Sequence, residues 1–227
     1  MVTAIFPAAG QSKRMNLNSS INKNFLNIEG KPLIVHTLLT FSQSTTIDNL
    51  IVAVSPNEMY IFRKMVEGVK NLKPLQIVAG GSERQYSIAN ALKVLSDDTD
   101  IVLVHDAARP LVSIKTIDEV VEAAKVYGGA IAAVPVKDTI KVVDTESFVT
   151  DTPPRASLVA VQTPQGFKRD ILLKAYAQAE HDNFLGTDDA SLVERIDVKV
   201  KVVMSDYRNI KITTPEDILI AKTLFNK

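Results

Sequence analysis

The sequence predicts an α/β protein built on a mostly parallel sheet with helices on both faces. Two observations carry this. Short β-branched and aliphatic runs alternate with amphipathic stretches along most of the chain, the order that produces strand–helix–strand units. The runs are also apolar at consecutive positions, as in Ile101-Val102-Leu103-Val104. A strand apolar on both sides suits a sheet covered on both faces.

The elements follow in order. Thr3–Phe6 reads as the first strand, Pro32–Phe41 as a helix, Leu50–Val54 as a strand and Asn57–Val69 as a helix. Leu75–Ala79 is the third strand. Glu83–Leu95 is a helix with Ile88, Ala91, Leu92 and Leu95 on one face. Ile101–Val104 is a strand, Thr116–Tyr127 a helix and Ala130–Val134 a strand. From about Val136 to Phe167 helical periodicity is lost. Ile140–Val143 and Ser157–Val161 read as strands there, separated by turn-forming Asp144–Ser147 and Thr152–Pro154. This strand-rich insertion predicts an arm at 136–167 that makes oligomer contacts. Helices at Arg169–Ala179 and Asp188–Glu194, a strand at Val198–Met204 and a helix starting at Thr214-Pro215-Glu216 complete the chain. Thr before Pro at the first helical position is a start signal.

The 227 residues are read as a single domain, 1–227, with a sizeable core. There is no Cys, which rules out disulfides and thiolate metal sites. No run approaches the roughly 18 apolar residues of a membrane span, and Met1–Gly10 lacks a secretory pattern. A cytoplasmic protein without membrane partners is the expectation. Lys+Arg number 26 and Asp+Glu 26, so nothing in the bulk charge favours nucleic acid.

In an open parallel sheet, ligands bind beyond the carboxyl ends of the strands. After the first strand comes Pro7-Ala8-Ala9-Gly10-Gln11-Ser12-Lys13-Arg14. Small residues there let backbone amides approach a phosphate, with Lys13 and Arg14 adding charge, or they form an ordinary turn. Lys23 taken alone reads as a solvated lysine. Gly80-Gly81-Ser82 precedes a helix and suits either close approach of a ligand or a flexible loop with Ser82 as the cap. His105-Asp106-Ala107-Ala108-Arg109-Pro110 is the strongest local signal. Asp106 suits a hard divalent cation that also touches phosphate, or a structural pair with Arg109. His105 has no partner histidine at ligand spacing and reads as structural. Asp98-Thr99-Asp100 lies at the wrong end of its strand for a metal motif and reads as a solvated turn. Asp138-Thr139, Arg155, Thr187-Asp188 and Lys211 are further candidates or simple surface positions. Lys211, between Ile210 and Ile212 in an expected short strand, would point opposite to them, into a cleft. These groups include no interpretable nucleophile–base pair. Chemistry that needs only positioning and charge neutralisation, such as nucleotidyl transfer, fits best.

Seven segments together resemble the 2-C-methyl-D-erythritol 4-phosphate cytidylyltransferase family. They are Pro7-Ala8-Ala9-Gly10-x-x-x-Arg14-Met15, Gly80-Gly81-Ser82-Glu83-Arg84-x-x-Ser87, Val104 to Pro110, Lys137 to Lys141, Gln162 to Phe167, Thr187 to Ser191, and Asn209 to Asp217. The resemblance implies a Rossmann-like nucleotidyltransferase fold with a β-arm that interlocks in a homodimer. It implies a reaction of CTP with the sugar-alcohol phosphate, with Mg²⁺, in non-mevalonate isoprenoid biosynthesis. The products are 4-diphosphocytidyl-2-C-methyl-D-erythritol and pyrophosphate. It further implies that Arg14 and Lys23 stabilise the transition state and that Arg155 and Lys211 position the sugar phosphate. Pro7, Ala8, Ala9, Gly10, Gly81, Ser82, Ser87, Asp106 and Ala107 would hold the nucleotide, with Asp106 meeting the metal. Arg109, Thr139 and Thr187 would contact the second substrate, with Thr139 and Arg155 serving the partner subunit's site.

Three places depart from the family's pattern: Ser12 stands for a glycine, Asn22-Lys23-Asn24 for Pro-Lys-Gln, and Pro153-Pro154 precedes Arg155. The nearest alternative is a ribitol-5-phosphate cytidylyltransferase, against which Ala8-Ala9-Gly10 and Asp106-Ala107-Ala108-Arg109-Pro110 speak. A glycosyltransferase would need a metal Asp-x-Asp at a strand's carboxyl end, and a noncatalytic nucleotide-binding regulator would not need Arg14, Lys23, Asp106, Arg155 and Lys211 together.

Overall fold

A computed structural model describes residues 1–10 and 22–225. Arg14 and Ser12 lie outside the described residues. The central sheet has seven strands: β1 (Val2–Pro7), β4 (Asn49–Val54), β5 (Leu75–Ala79), β6 (Ile101–Val104), β7 (Gly129–Pro135), β10 (Val159–Lys168) and β11 (Lys201–Met204). Their order is β11-β7-β10-β6-β1-β4-β5, and β10 alone runs antiparallel to its neighbours. Two short ribbons, β2 (Asn27–Ile28) with β3 (Lys31–Pro32) and β8 (Val142–Val143) with β9 (Val149–Asp151), stand apart.

The consecutive apolar residues of the strands fill two cores. On β1, Ala4 and Phe6 face one side and Ile5 the other, as a two-residue side-chain period requires. The first side is covered by α1 (Leu33–Gln43), α2 (Met59–Val66) and α4 (Ile114–Tyr127). The second is covered by α3 (Arg84–Leu92), α5 (Arg169–His181) and α6 (Asp189–Glu194). A third cluster joins α7 (Pro215–Phe225) to the site: Ala221 packs with Ala108, Ile212, Ile28 and Leu33.

Several expectations are corrected. The arm is shorter than 136–167. From Gln162 to Phe167 the chain is buried in the middle of the sheet, between β6 and β7, so the projecting part ends near Val159. The expected strand at Ser157–Val161 is the start of β10, and its continuation through Gln162–Lys168 was concealed because Gln162, Pro164, Gln165 and Gly166 break the apolar pattern. They are tolerated because the strand bulges there: Val161 opposes Ala133, but Gln165 opposes Ile131. The expected strand at Ile140–Val143 narrows to Val142–Val143. Asn209–Thr213 is not a strand but irregular chain. Ser82 does not cap α3, whose N-cap is Glu83 with no side-chain cap bond. At α7 the Asp217 carboxylate, in the first turn, accepts from the backbone N–H groups of Thr213 and Thr214 at 2.7 and 2.8 Å.

Phe167 is fully buried on β10. Phe167→Ala is expected to cost about 3–5 kcal/mol of unfolding free energy, the range for a truncated core phenylalanine, measured by urea titration. A loss under about 1 kcal/mol would mean that this half of β10 belongs to the arm after all.

Candidate active site

β1 is the strand at which the chain changes direction. It pairs with β4 on one side and β6 on the other, so the loops after β1 and β6 flank a crevice at their carboxyl ends. The loop after β5 arrives at the same edge. The Gly80 N–H donates to the Val54 carbonyl at 2.7 Å, and the Ala8 N–H donates to the Ala53 carbonyl at 2.7 Å. These contacts are close. A Cβ on Gly80 would sit 2.3 Å from Ala9 Cβ, and one on Gly81 2.5 Å from Tyr86 Cβ. The Gly81 N–H donates to Ser87 Oγ at 3.0 Å. Gly80 therefore lets this loop approach the first loop and Gly81 lets it fold onto the start of α3, with Ser82 left exposed at the rim.

Asp106 is the centre of the arrangement. Its side chain is 11% exposed and lies among three cations. Lys211 Nζ is 2.9 Å from Oδ2, Arg109 Nε is 3.4 Å from the same oxygen, and Arg84 Nε is 3.4 Å from Oδ1. Burial pushes the carboxyl towards its neutral form, but Lys211, Arg84 and Arg109 together outweigh it and hold Asp106 ionised, well below the usual carboxylate range. Arg84 has a second anchor, Asp189 Oδ2 at 2.8 Å. Asp189 Oδ1 accepts from the Tyr176 hydroxyl at 2.6 Å. Burial opposes the charge on Arg84, and the two carboxylates reverse that effect and raise its pKa.

The irregular segment 209–213 is fixed by hydrogen bonds rather than by a sheet. The Ile212 N–H donates to the Ala108 carbonyl at 2.9 Å, and Lys23 Nζ donates to the Ile212 carbonyl at 2.9 Å. Arg109 Nη1 donates to the Asn209 carbonyl at 2.7 Å. Lys211 thus reaches the crevice as expected, though not by strand alternation. Lys23 lies in a 3₁₀ turn at Lys23–Phe25 capped by Asn22, whose side chain accepts from the Asn24 N–H at 3.0 Å. Asn22 also donates to the Ala8 carbonyl at 2.8 Å and to Glu58 at 2.9 Å. This departure from the family's pattern therefore ties Lys23 to the first loop.

His105 is fully buried, and burial pushes its pKa down to about 3. Its ring nitrogens lie 3.0 Å from Thr163 Oγ1 and 3.0 Å from the Arg109 carbonyl oxygen. It reads as structural, as expected, and is not placed to act as a base.

The structure thus brings together Pro7, Ala8, Ala9, Gly10, Lys23, Gly81, Ser87, Asp106, Ala107, Arg109 and Lys211 along one edge of the sheet. It leaves Thr139 and Arg155 exposed on the arm. Arg155 Nη1 donates to the Lys137 carbonyl at 2.7 Å and so ties the arm's two limbs. Thr187 is exposed beside the Asp188 cap of α6, whose carboxylate accepts from Gln165 Nε2 at 2.7 Å. Arg84, Asp189, Tyr176 and Thr163 were not assigned from the sequence. Arg84, Thr163 and Asp189 lie inside three of the segments that carry the family resemblance, which was the available signal; Tyr176 lies outside all of them.

A cleft of about 910 Å³ opens at the opposite end of the sheet, lined by Met1, Asp97, Asp100, Lys168 and Arg169 among others. Its charges neutralise one another: the Met1 ammonium is 2.6 Å from Asp100, and Arg169 is 3.3 Å from Asp97. It is not at the strands' carboxyl ends, and it holds the Asp98-Thr99-Asp100 region in its expected place before β6.

A doubly wound sheet with a cation-rich crevice at its switch point, floored by a glycine-paired loop, is the architecture of a nucleotide-handling transferase. A family model described as 2-C-methyl-D-erythritol 4-phosphate cytidylyltransferase matches residues 2–227, and the chain belongs to that family. The protein of that name from Caldanaerobacter subterraneus is 47% identical over 227 residues, covering 100% of this chain and 99% of the relative. One from Bacillus cereus is 49% identical over 226 residues, covering 100% and 98%. Among solved structures, 4-diphosphocytidyl-2C-methyl-D-erythritol synthase from Anaerococcus prevotii superposes with a TM-score of 0.89 at 31% identity, covering 100% of this chain and 96% of the other. The Thermus thermophilus cytidylyltransferase gives 0.80 at 33% identity, covering 99% and 98%.

The buried neutral imidazole has a thermodynamic consequence. A depressed folded pKa stabilises above the unfolded value and loses that contribution as pH falls towards the folded value. For His105 the window runs from about 6.5 down to about 3. Carboxylates titrate mainly below about 4.5. Unfolding free energy should therefore fall by about 2 kcal/mol between pH 6.5 and 4.5, read from urea titrations at stepped pH. A flat profile over that interval would contradict a neutral His105.

Proposed function

We propose that this chain joins CTP to 2-C-methyl-D-erythritol 4-phosphate, releasing pyrophosphate, at the crevice around Asp106. Family membership supports this, and the single observation that carries the site assignment is one ionised carboxylate held under three cations beside a glycine-paired loop. The attacking group is a phosphate with a second pKa of about 6, so it arrives ionised at neutral pH and needs no protein base. What the reaction requires is alignment of two polyanions and stabilisation of charge that builds on the α-phosphate and the leaving group. Lys23, with Arg14 from outside the described residues, supplies that charge. Lys211 and Arg109 hold the sugar phosphate, and the Ala8–Gly10 backbone with Gly81, Ser82 and Ser87 receives the nucleoside.

The donor set fits a magnesium ion that travels with the nucleotide. Asp106 is a single hard oxygen donor at the crevice, and no group of three or more acidic or histidine side chains forms an all-protein cage among the described residues. Mg²⁺ is commonly held by one or two carboxylates, with substrate phosphates and water filling its shell. When bound it would neutralise phosphate charge. Asp106 is ionised for that purpose at any working pH.

A second copy of this chain is the proposed partner. The β8–β9 ribbon exposes Val142, Val143, Phe148 and Val149, and an isolated two-stranded ribbon is marginal in water. Arg155 and Thr139, exposed on the same arm, would then serve the partner's crevice.

Pyrophosphate release from CTP should occur with 2-C-methyl-D-erythritol 4-phosphate. Release with ribitol 5-phosphate alone would overturn the assignment, and CTP binding without turnover would make the chain a regulator. Lys23→Ala should lower kcat about 100-fold, the loss expected for one preorganised charge on the transition state; a pure KM effect would contradict its role. Arg155→Ala should raise KM for the sugar phosphate more than about tenfold, with KM for CTP little changed. Mixed Arg155→Ala and Lys23→Ala subunits should regain activity. No recovery despite confirmed subunit exchange would exclude a shared site.

A further inference from the structure

His105 is built into a hydrogen-bond chain whose direction is fixed by chemistry. The Arg109 carbonyl can only accept, so His105 Nε2, 3.0 Å away, carries the ring hydrogen. Thr163 Oγ1 already accepts the backbone N–H of Asp106 at 3.0 Å, which leaves its own hydroxyl hydrogen to bond Nδ1. The Thr163 hydroxyl at 3.0 Å therefore donates to it. The chain runs from Asp106 N–H through Thr163 and His105 to the Arg109 carbonyl. It spans the turn that carries two of the crevice's charged groups, and the Arg109 N–H closes the turn on the Asp106 carbonyl at 3.0 Å. All three partners are buried or nearly so. The imidazole ring itself is packed between Phe41, 4.7 Å away, and Phe6, 6.1 Å away, centroid to centroid.

We propose that His105 is a positioning residue for the transfer reaction, an imidazole that acts through Thr163 and the Arg109 carbonyl to fix the spacing of Asp106 and Arg109. The proposal rests on the reading that Asp106 and Arg109 serve cytidylyl transfer. His105 contacts neither substrate. Its partner Thr163 reaches the turn only because β10 bulges between Val161 and Gln165.

Kinetics of pyrophosphate release on four variants test this. His105→Phe keeps an aromatic ring between Phe6 and Phe41 and removes both hydrogen bonds. Thr163→Val removes the relay, and Thr163→Ser retains it. His105→Phe and Thr163→Val should each lower kcat/KM for the sugar phosphate about 10–100-fold, the scale for loss of a supporting hydrogen bond at an active site, with KM for CTP changed less than about threefold. Thr163→Ser should stay within about threefold of wild type. The double variant should be no worse than the weaker single one, because both break one chain. Additive losses, a serine variant as poor as the valine one, or a folded His105→Phe with wild-type kcat/KM would overturn the proposal. If His105→Phe does not fold, the serine–valine pair decides. Failure of the underlying reading shows separately, as wild-type protein that releases no pyrophosphate. In that case the ¹⁵N shifts of the His105 ring still decide the chain: protonated Nε2 with bare Nδ1 supports it, and the reverse tautomer overturns it.

Discussion

A carboxylate taken out of water at the end of an apolar strand must find compensating charge or give up its own. Asp106 stands at that point, directly after Ile101–Val104 and His105, and keeps its charge because Lys211, Arg84 and Arg109 converge on it. Those cations come from the last loop, the start of α3 and the turn itself. One ion cluster therefore cross-links three loops that the sheet delivers separately to its carboxyl edge. The arrangement propagates. Arg84 is shared with Asp189, which holds the Tyr176 hydroxyl, and Lys211 is held by the bonds of Ile212 to Ala108 and Lys23. Buried ion pairs contribute little net stability compared with apolar residues of the same shape. What this one supplies is geometry, with each loop fixed relative to the others before any substrate arrives.

The same cluster explains how a chain with no net charge can handle two polyanions. The 26 basic and 26 acidic residues cancel in sum, yet the crevice gathers three cations on one carboxylate, with Lys23 alongside. Fixed charges in a partly buried site act more strongly than the same charges in water, and they need no reorganisation as the reaction proceeds. A base would add little here, and the imidazole beside the Asp106 turn is fully buried with both nitrogens engaged.

What was legible in the sequence follows the range of the interactions. Ile101–Val104 appears as expected to the residue, because a strand buried on both faces is apolar at every position; Leu75–Ala79 also appears to the residue, although it is an edge strand with Gln76 and Ala79 exposed. Beyond the expected strand at Ser157–Val161, β10 was hidden because its central residues are chosen for a bulge and for contacts with other loops, not for a continuous apolar face. Arg84 could not be assigned because its partners lie 22 and 105 positions away. Lys211 reached its expected place for a different reason, hydrogen bonds of an irregular segment rather than strand alternation. Asn22 and Asn24 read as a departure from the family's pattern, yet both are buried, and Asn22 bonds the first loop to the turn that carries Lys23.

β10 also shows how the arm and the crevice are mechanically one unit. Its first residues leave the arm just after Arg155. Its bulge presents Gln162 and Thr163 to the site, where Asn209 donates to the Gln162 side chain at 2.9 Å and to the Thr163 carbonyl at 2.8 Å. Its last residues lie in the core beside β6 and β7, with Phe167 fully buried. A ten-residue strand anchored at one end by packing, and bonded at its middle to both the Asp106 turn and the Asn209 loop, cannot shift at the arm without loading those bonds. The antiparallel strand inserted into an otherwise parallel sheet is thus the element that fixes the arm relative to the charged groups of the crevice. A second subunit docking on the arm would meet a site already set in place.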